Sequence, residues 1–128
     1  MRRHSLAVWL LIVWTVFVWG GRVRNIGEDV GLSGFERIWR LGLALSFLTL
    51  TGWLVLRVIR SQQTRPALWA LAGWTTVVWV ARGLGIAAAD HPAGFIAVHL
   101  VLAVVSIGLS AWAVRSMVDR APRSVPAR

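Results

Sequence analysis

Four long stretches without an acidic or basic residue constrain this chain more than any other feature. They cover residues 6–21, 41–56, 66–81 and 92–114, and only the ionisable His99 interrupts the last one. A helix that crosses the ~30 Å hydrocarbon core of a bilayer needs roughly 20 apolar residues. Three stretches are shorter than that, so each must take turns from its flanks, where arginines can extend toward the headgroups. We predict four transmembrane helices at about residues 5–24, 38–59, 66–89 and 92–115.

The composition agrees with a membrane protein rather than a small soluble domain. Hydrophobic residues make up 57% of the 128 residues and charged residues only 15%, and the mean hydropathy is +0.66. A soluble domain of this size needs polar residues over most of its surface. We therefore predict a single all-α domain over residues 1–128, a polytopic transmembrane four-helix bundle with a cytoplasmic tail at 116–128.

The basic residues are divided unequally between the two sides of this arrangement. All 14 are arginine. The side with both termini holds nine of them: Arg2, Arg3, Arg57, Arg60, Arg65, Arg115, Arg120, Arg123 and Arg128. The opposite side holds five: Arg22, Arg24, Arg37, Arg40 and Arg82. Because cytoplasmic loops carry the excess of basic residues, both termini are predicted to be cytoplasmic, in a multi-pass protein of the cell membrane.

Two alternative interpretations of these features are less favoured. Residues 1–4 and the apolar stretch that follows resemble the start of a signal peptide, but this stretch contains three tryptophans and no small-residue cleavage pattern. The net charge of +9 would suggest nucleic acid as the partner of a soluble protein. Arginine beside an apolar run is more typical of membrane topology and headgroup contact. The predicted partner is therefore the lipid bilayer, and no nucleic acid.

The chain also matches itself at an offset of 60 residues. Residues 14–19 are WTVFVW and residues 74–79 are WTTVVW. Further identities are Ala7/Ala67, Trp9/Trp69, Leu11/Leu71, Arg22/Arg82, Ile26/Ile86, Gly34-Phe35/Gly94-Phe95 and Ser46/Ser106. Tryptophan is rare, so three aligned tryptophans favour a tandem duplication of a helical hairpin, with units at about 7–60 and 67–120. Both units would enter the membrane from the same side, related by a pseudo-twofold axis along its normal.

Matched residues of the first and third helices recur at spacings of three and four, and so share one helix face. This predicted packing face contains Leu11, Trp14, Thr15, Trp19, Leu71, Trp74, Thr75 and Trp79. It either packs the two hairpins together or lines a shared site. Trp14 and Trp74 fall near mid-span, where lipid cannot accept an indole N–H. We predict that both indoles turn inward, with Ser46 and Ser106 as the nearest acceptors by depth.

A candidate polar site is formed by Arg22, Arg82, His99 and Asp90. Arg22 and Arg82 are equivalent under the offset, and Arg82 and His99 should each lie roughly 10 Å inside the outer turn between the third and fourth helices. Ionisable groups within a membrane are costly and often functional. The alternative is a structural role, in which His99 bonds to a neighbouring helix and Arg82 extends to the interface or pairs with Asp90.

Catalytic and metal-binding patterns are missing from the sequence. The chain has no cysteine, and His4, His91 and His99 are not spaced as ligands on one helix. No Gly-x-Ser-x-Gly motif occurs, and none of the four apolar stretches contains a carboxylate. We predict no enzymatic activity, no metal and no cofactor.

The segment Val18-Trp19-Gly20-Gly21-Arg22-Val23-Arg24-Asn25-Ile26 and the Trp-Thr repeats resemble small, uncharacterised four-helix integral membrane proteins of high-GC bacteria. This resemblance implies a membrane bundle and carries over no activity or site residue.

Two functions fit these observations. The first is a non-enzymatic helix-bundle accessory or interaction subunit, favoured by the lack of polar residues along the spans. The second is a small transporter or channel for an anionic solute, acting as a homo-oligomer, favoured by the duplication and by the charge within the membrane. A dry interior would support the first function, and a polar cavity at the matched arginines would support the second.

Overall fold

The computed structural model describes residues 5–121 as a bundle of four α-helices. Helix α1 spans Leu6–Glu28, α2 Gly34–Ile59, α3 Arg65–Ala87 and α4 Ala93–Val118. The described residues contain no strand. Each helix is long enough and apolar enough to cross a membrane. The prediction of an all-α chain with four such helices is confirmed. Predictions that involve Arg2, Arg3, His4, Arg123 and Arg128 lie outside the described residues.

The helices begin at residues whose chemistry favours a helix start. Ser5 caps α1 by accepting the backbone N–H of Val8 at 3.3 Å. Ser33 and Glu36 form a capping box at α2, in which each side chain accepts from the other residue's backbone N–H. Helix α3 has a proline in its first turn, where a missing N–H costs nothing.

Helix α2 ends in a Schellman motif that has serine where glycine is usual. Ser61 adopts a φ of 51°. Its N–H donates to the carbonyl of Val58 at 3.1 Å, and the N–H of Gln62 donates to the carbonyl of Arg57 at 2.9 Å. These two bonds satisfy carbonyls that the helix leaves free. The left-handed backbone at Ser61 carries some strain, because its Cβ crowds the following carbonyl.

The four helices form a closed ring in which α1 packs against α2 and α4, and α3 packs against the same two helices. The largest side chains that are completely buried in this core include Phe47, Leu11, Leu54, Leu68 and Leu71. A hydrogen bond of 2.8 Å between the hydroxyls of Ser116 and Ser5 joins the end of α4 to the start of α1. The opposite end of the ring, at the α1–α2 and α3–α4 connections, is more open.

Candidate functional site

A cleft of about 850 Å³ opens at the end of the bundle opposite the termini. It lies where α1 and α3 end and where α2 and α4 begin. Its basic and imidazole side chains are Arg22 of α1, Arg40 of α2, Arg82 of α3 and His99 of α4. Every helix therefore contributes one nitrogen-rich side chain to the same space.

Arg22 and His99 are hydrogen-bonded to each other inside this cleft. The Nη2 of Arg22 lies 3.1 Å from Nε2 of His99, and Nδ1 of His99 lies 2.9 Å from the carbonyl oxygen of Phe95. A guanidinium can only donate and a carbonyl can only accept, so Nδ1 carries the proton and Nε2 is the acceptor. This arrangement requires a neutral imidazole. The His99 ring also packs on the Phe95 ring, with centroids 4.0 Å apart.

Arg82 lies in the same cleft without an equivalent partner. Its Nε is buried and forms no hydrogen bond within the described residues. The offset of 60 residues explains the difference, because the position that corresponds to His99 is Trp39. An indole has no nitrogen acceptor to offer. Leaving a buried donor unsatisfied costs roughly 1–3 kcal/mol. Arg82 lines the cleft and forms no ion pair within the described residues, so its guanidinium lacks an acceptor there.

The mouth of the cleft contains two carboxylates, which take part in local bonds of the α1–α2 connection. Asp29 accepts the N–H of Gly31 at 2.9 Å, and Glu36 accepts the N–H and the hydroxyl of Ser33 at 3.2 and 3.0 Å. Neither forms an ion pair with an arginine of the cleft, since the ion pairs of the described residues are Arg24–Glu28 and Arg115–Asp119. The cleft contains three guanidiniums and two carboxylates, so its net charge is positive.

Aromatic rings close the cleft on its inner side. The Trp19 ring stacks on the Phe47 ring at a centroid distance of 4.0 Å, and it meets the Trp79 ring across the bundle at 6.3 Å. The Arg22 guanidinium lies 5.8 Å from the centroid of the Trp19 ring, within the range of a cation–π contact. The indole N–H of Trp79 is buried without a partner in the described part of the chain. The inner wall of the cleft is therefore aromatic at Trp19, which packs on further buried rings.

The cleft contains three of the four residues of the predicted polar site. Arg22, Arg82 and His99 all line it, whereas Asp90 does not. The alternative pairing of Arg82 with Asp90 is wrong for the described residues, where no ion pair joins them. Asp90 is exposed in the short α3–α4 connection. No group of three metal-ligating side chains occurs among the residues that the structure describes.

Arg40 is the cleft residue that sequence reasoning missed. The sequence pattern places it only among the five arginines on the side opposite the termini. It lies in the second turn of α2 and faces the cleft with Glu36 and Leu43. Spacings of four and three residues from Arg40 to these neighbours place all three on one helix face. The face begins at the start of α2, at Gly34, four residues before the predicted start of this helix at residue 38.

The predicted packing face divides into a buried part and an edge. Leu11, Thr15, Trp19, Leu71, Thr75 and Trp79 are buried. Trp14 is half-buried, and Trp74 keeps 36% of its surface exposed. The two mid-span tryptophans thus lie at the edge of the face, where their rings bridge to the neighbouring helix. Neither indole reaches the fully buried core, and each turns toward the helix of the other hairpin that provides its acceptor.

The acceptors predicted for these two indoles are confirmed. Trp14 donates to the hydroxyl of Ser106 at 2.9 Å, and Trp74 donates to the hydroxyl of Ser46 at 2.9 Å. One bond joins α1 to α4 and the other joins α3 to α2. Without these bonds the two indole N–H groups would have no partner among the described residues, whereas the Ser46 hydroxyl also donates to the carbonyl of Leu43 at 2.6 Å.

No protein-family model, curated protein or solved structure matches this chain. What the cleft binds is therefore inferred from its own side chains.

Proposed function

We propose that this chain is a non-enzymatic, multi-pass integral membrane protein that binds an anionic group in the cleft containing Arg22, Arg40 and Arg82. In this proposal the four helices cross the cytoplasmic membrane, both termini are cytoplasmic, and the cleft opens on the outer side. The protein acts as an accessory subunit that presents or holds the bound anion.

The apolar exterior of the bundle supports the membrane location. Large hydrophobic side chains remain exposed on every helix, among them Phe17, Leu45, Val77 and Val104. Helix α4 has the highest hydropathy of the four and the smallest buried share. Apolar patches of this extent are rare on soluble monomers, and lipid is a suitable solvent for them.

The observation that carries the anion proposal is the unpartnered guanidinium of Arg82 beside Arg22. Each guanidinium has donors in a planar fork that fits two oxygens of a carboxylate or a phosphate. Neither arginine has a carboxylate partner in the described structure. Two cations in one cleft repel each other, and an anion between them would remove that cost.

Equivalent contacts in the two hairpins support a tandem duplication as the origin of the paired arginines. All seven buried residues of α3 have a buried counterpart in α1 at the offset of 60: Ala7/Ala67, Val8/Leu68, Leu11/Leu71, Ile12/Ala72, Thr15/Thr75, Val18/Val78 and Trp19/Trp79. The hydroxyls of Thr15 and Thr75 both donate to the carbonyl four residues earlier, at 2.7 Å. The buried positions of α2 and α4 do not match in this way.

A small transporter or channel, acting as a homo-oligomer, is the second candidate. The polar cleft at the matched arginines favours it. The ring of Trp19 lines the cleft and packs on the rings of Phe47 and Trp79, and this apolar packing favours binding without passage. The accessory role is therefore the better supported of the two, with a second copy or another membrane protein as its partner.

Single-cysteine labelling tests the topology directly, because the chain has no cysteine of its own. Val30→Cys lies in the α1–α2 connection and Gln62→Cys in the α2–α3 connection, and both positions are exposed. A membrane-impermeant maleimide added to intact cells should label Val30→Cys alone. Permeabilised cells should label both. Labelling of Gln62→Cys in intact cells would refute the proposed orientation.

Anion binding is tested with the full chain in non-ionic detergent. Sulfate or inorganic phosphate should raise its melting temperature more than chloride at equal ionic strength, since a ligand stabilises the state it binds. Arg82→Gln should abolish this difference. The matched control is Arg24→Gln, which removes an exposed arginine outside the cleft. Equal stabilisation of the wild type and Arg82→Gln would contradict the proposal.

A further inference from the structure

We infer that the occupant of the cleft is an anionic phospholipid, with its phosphodiester between Arg22 and Arg82 and an acyl chain along the seam between α1 and α4. This inference rests on the proposed function, because it identifies the source of the anion that the cleft binds. The proposed ligand has an apolar part in addition to the charged group, and residues other than the arginines contact that apolar part.

The polar half follows from the positions of the guanidiniums. Arg22 and Arg82 approach from α1 and α3, which lie diagonally across the bundle, and Arg40 approaches from α2. A phosphodiester has two non-bridging oxygens that share one negative charge. One oxygen can face each guanidinium of the diagonal pair, and the positive balance of the cleft matches a single charge.

The apolar half follows from the remaining walls. Phe17, Val98 and Leu102 line the same cleft as the arginines. Phe17 is five residues before Arg22, so it lies about 7.5 Å farther from the outer end. Phe17 is 70% exposed and Val98 58% exposed, so this wall is open sideways. Helices α1 and α4 are neighbours in the ring, and the open wall follows their seam.

This geometry distinguishes a lipid from a soluble anion. A free phosphate would contact only the arginines and would leave the apolar wall beside it uncovered. The headgroup of a phospholipid lies at the depth of the arginines, and its chain continues into the hydrocarbon core past Phe17 and Leu102. The ligand therefore enters from the bilayer and not from the aqueous phase.

The test compares a lipid with its own headgroup. The full chain in non-ionic detergent is titrated with phosphatidylglycerol, with phosphatidylcholine and with the soluble headgroup glycerophosphoglycerol, and bound ligand is measured by native mass spectrometry. Phosphatidylglycerol should bind at least about tenfold more tightly than either of the other two, since each tenfold step corresponds to about 1.4 kcal/mol of additional contact.

Two variants separate the two halves of the ligand. Arg82→Gln should weaken binding of both phosphatidylglycerol and its headgroup. Leu102→Trp, which fills the seam without changing charge, should weaken binding of the lipid and leave binding of the headgroup unchanged. The matched control is Leu100→Trp, because Leu100 is 62% exposed and does not line the cleft. It should bind all three ligands as the wild type does.

The other possible results contradict the lipid inference, the proposed function or both. If the headgroup binds as tightly as the lipid, the cleft takes a soluble anion, and the lipid inference fails while the proposed function stands. If phosphatidylcholine binds as tightly as phosphatidylglycerol, net charge does not select the ligand, and the lipid inference fails. If no anion binds in an Arg82-dependent way, the proposed function fails as well.

Discussion

Trp14 and Ser106 are joined by an indole-to-hydroxyl hydrogen bond of 2.9 Å across the contact between α1 and α4. An identical bond joins Trp74 to Ser46 across the contact between α3 and α2. Each residue of the first bond corresponds to one of the second at the offset of 60 residues. The two hairpins are therefore connected by a reciprocal pair of bonds at mid-helix.

The first prediction concerns the strength of this connection. Trp14→Phe keeps an aromatic ring and removes the donor, so it should lower the free energy of unfolding by about 1 kcal/mol. Ser106→Ala should cost a similar amount. The double variant should lose less than the sum of the two single variants, because both remove the same bond. Reversible unfolding of the purified chain in detergent measures all three.

The control for these three variants is Trp9→Phe. Trp9 is exposed, and its indole forms no hydrogen bond with a described residue. It should change stability by less than about 0.5 kcal/mol. If Trp14→Phe and Ser106→Ala were fully additive, the hydrogen bond would make no contribution of its own.

Depth along a helix could be predicted from the sequence, and this is why the indole acceptors were identified correctly. Trp14 and Ser106 lie at mid-span on different helices, and counting residues from each end places them at one level. The arginine bound to His99 could not be identified in this way. Arg22 and Arg82 occupy equivalent positions, so counting gives them similar depth. Helix α4 packs against both α1 and α3, so the partner of His99 depends on which side of α4 carries the imidazole, and residue counting does not give that.

The second prediction concerns the buried ring that packs on Trp19 of the cleft. Phe47 is completely buried and stacks on Trp19. Phe47→Ala should reduce the free energy of unfolding by about 3–5 kcal/mol, because it removes buried apolar surface and leaves a cavity. Phe17→Ala is the matched control, since Phe17 is 70% exposed. A loss at Phe17 equal to that at Phe47 would contradict the assignment of Phe47 to the core.

The third prediction concerns the end of α2. Ser61 has a φ of 51°, a conformation that costs a non-glycine residue roughly 1–2 kcal/mol relative to the right-handed region. Ser61→Gly removes this cost and should raise the midpoint of thermal unfolding. Ser61→Val should lower it, because a β-branched side chain is least tolerated in this region. A stabilising effect of Ser61→Val would show that the turn does not retain the left-handed conformation.

The last prediction uses the difference between the two hairpins at the cleft. Arg22 donates to His99, whereas Arg82 has Trp39 at the corresponding position and a buried Nε without a partner. Trp39→His should supply the missing acceptor, because α2 lies beside α3 as α4 lies beside α1. The new bond should stabilise the chain by about 0.5–1.5 kcal/mol relative to Trp39→Phe, which has a ring but no acceptor.

In an Arg82→Gln background the difference between Trp39→His and Trp39→Phe should shrink toward zero, since the guanidinium donor is gone. Unfolding measurements on the four variants decide the outcome. A stabilisation by Trp39→His that persists without Arg82 would mean that the two hairpins do not place these positions equivalently.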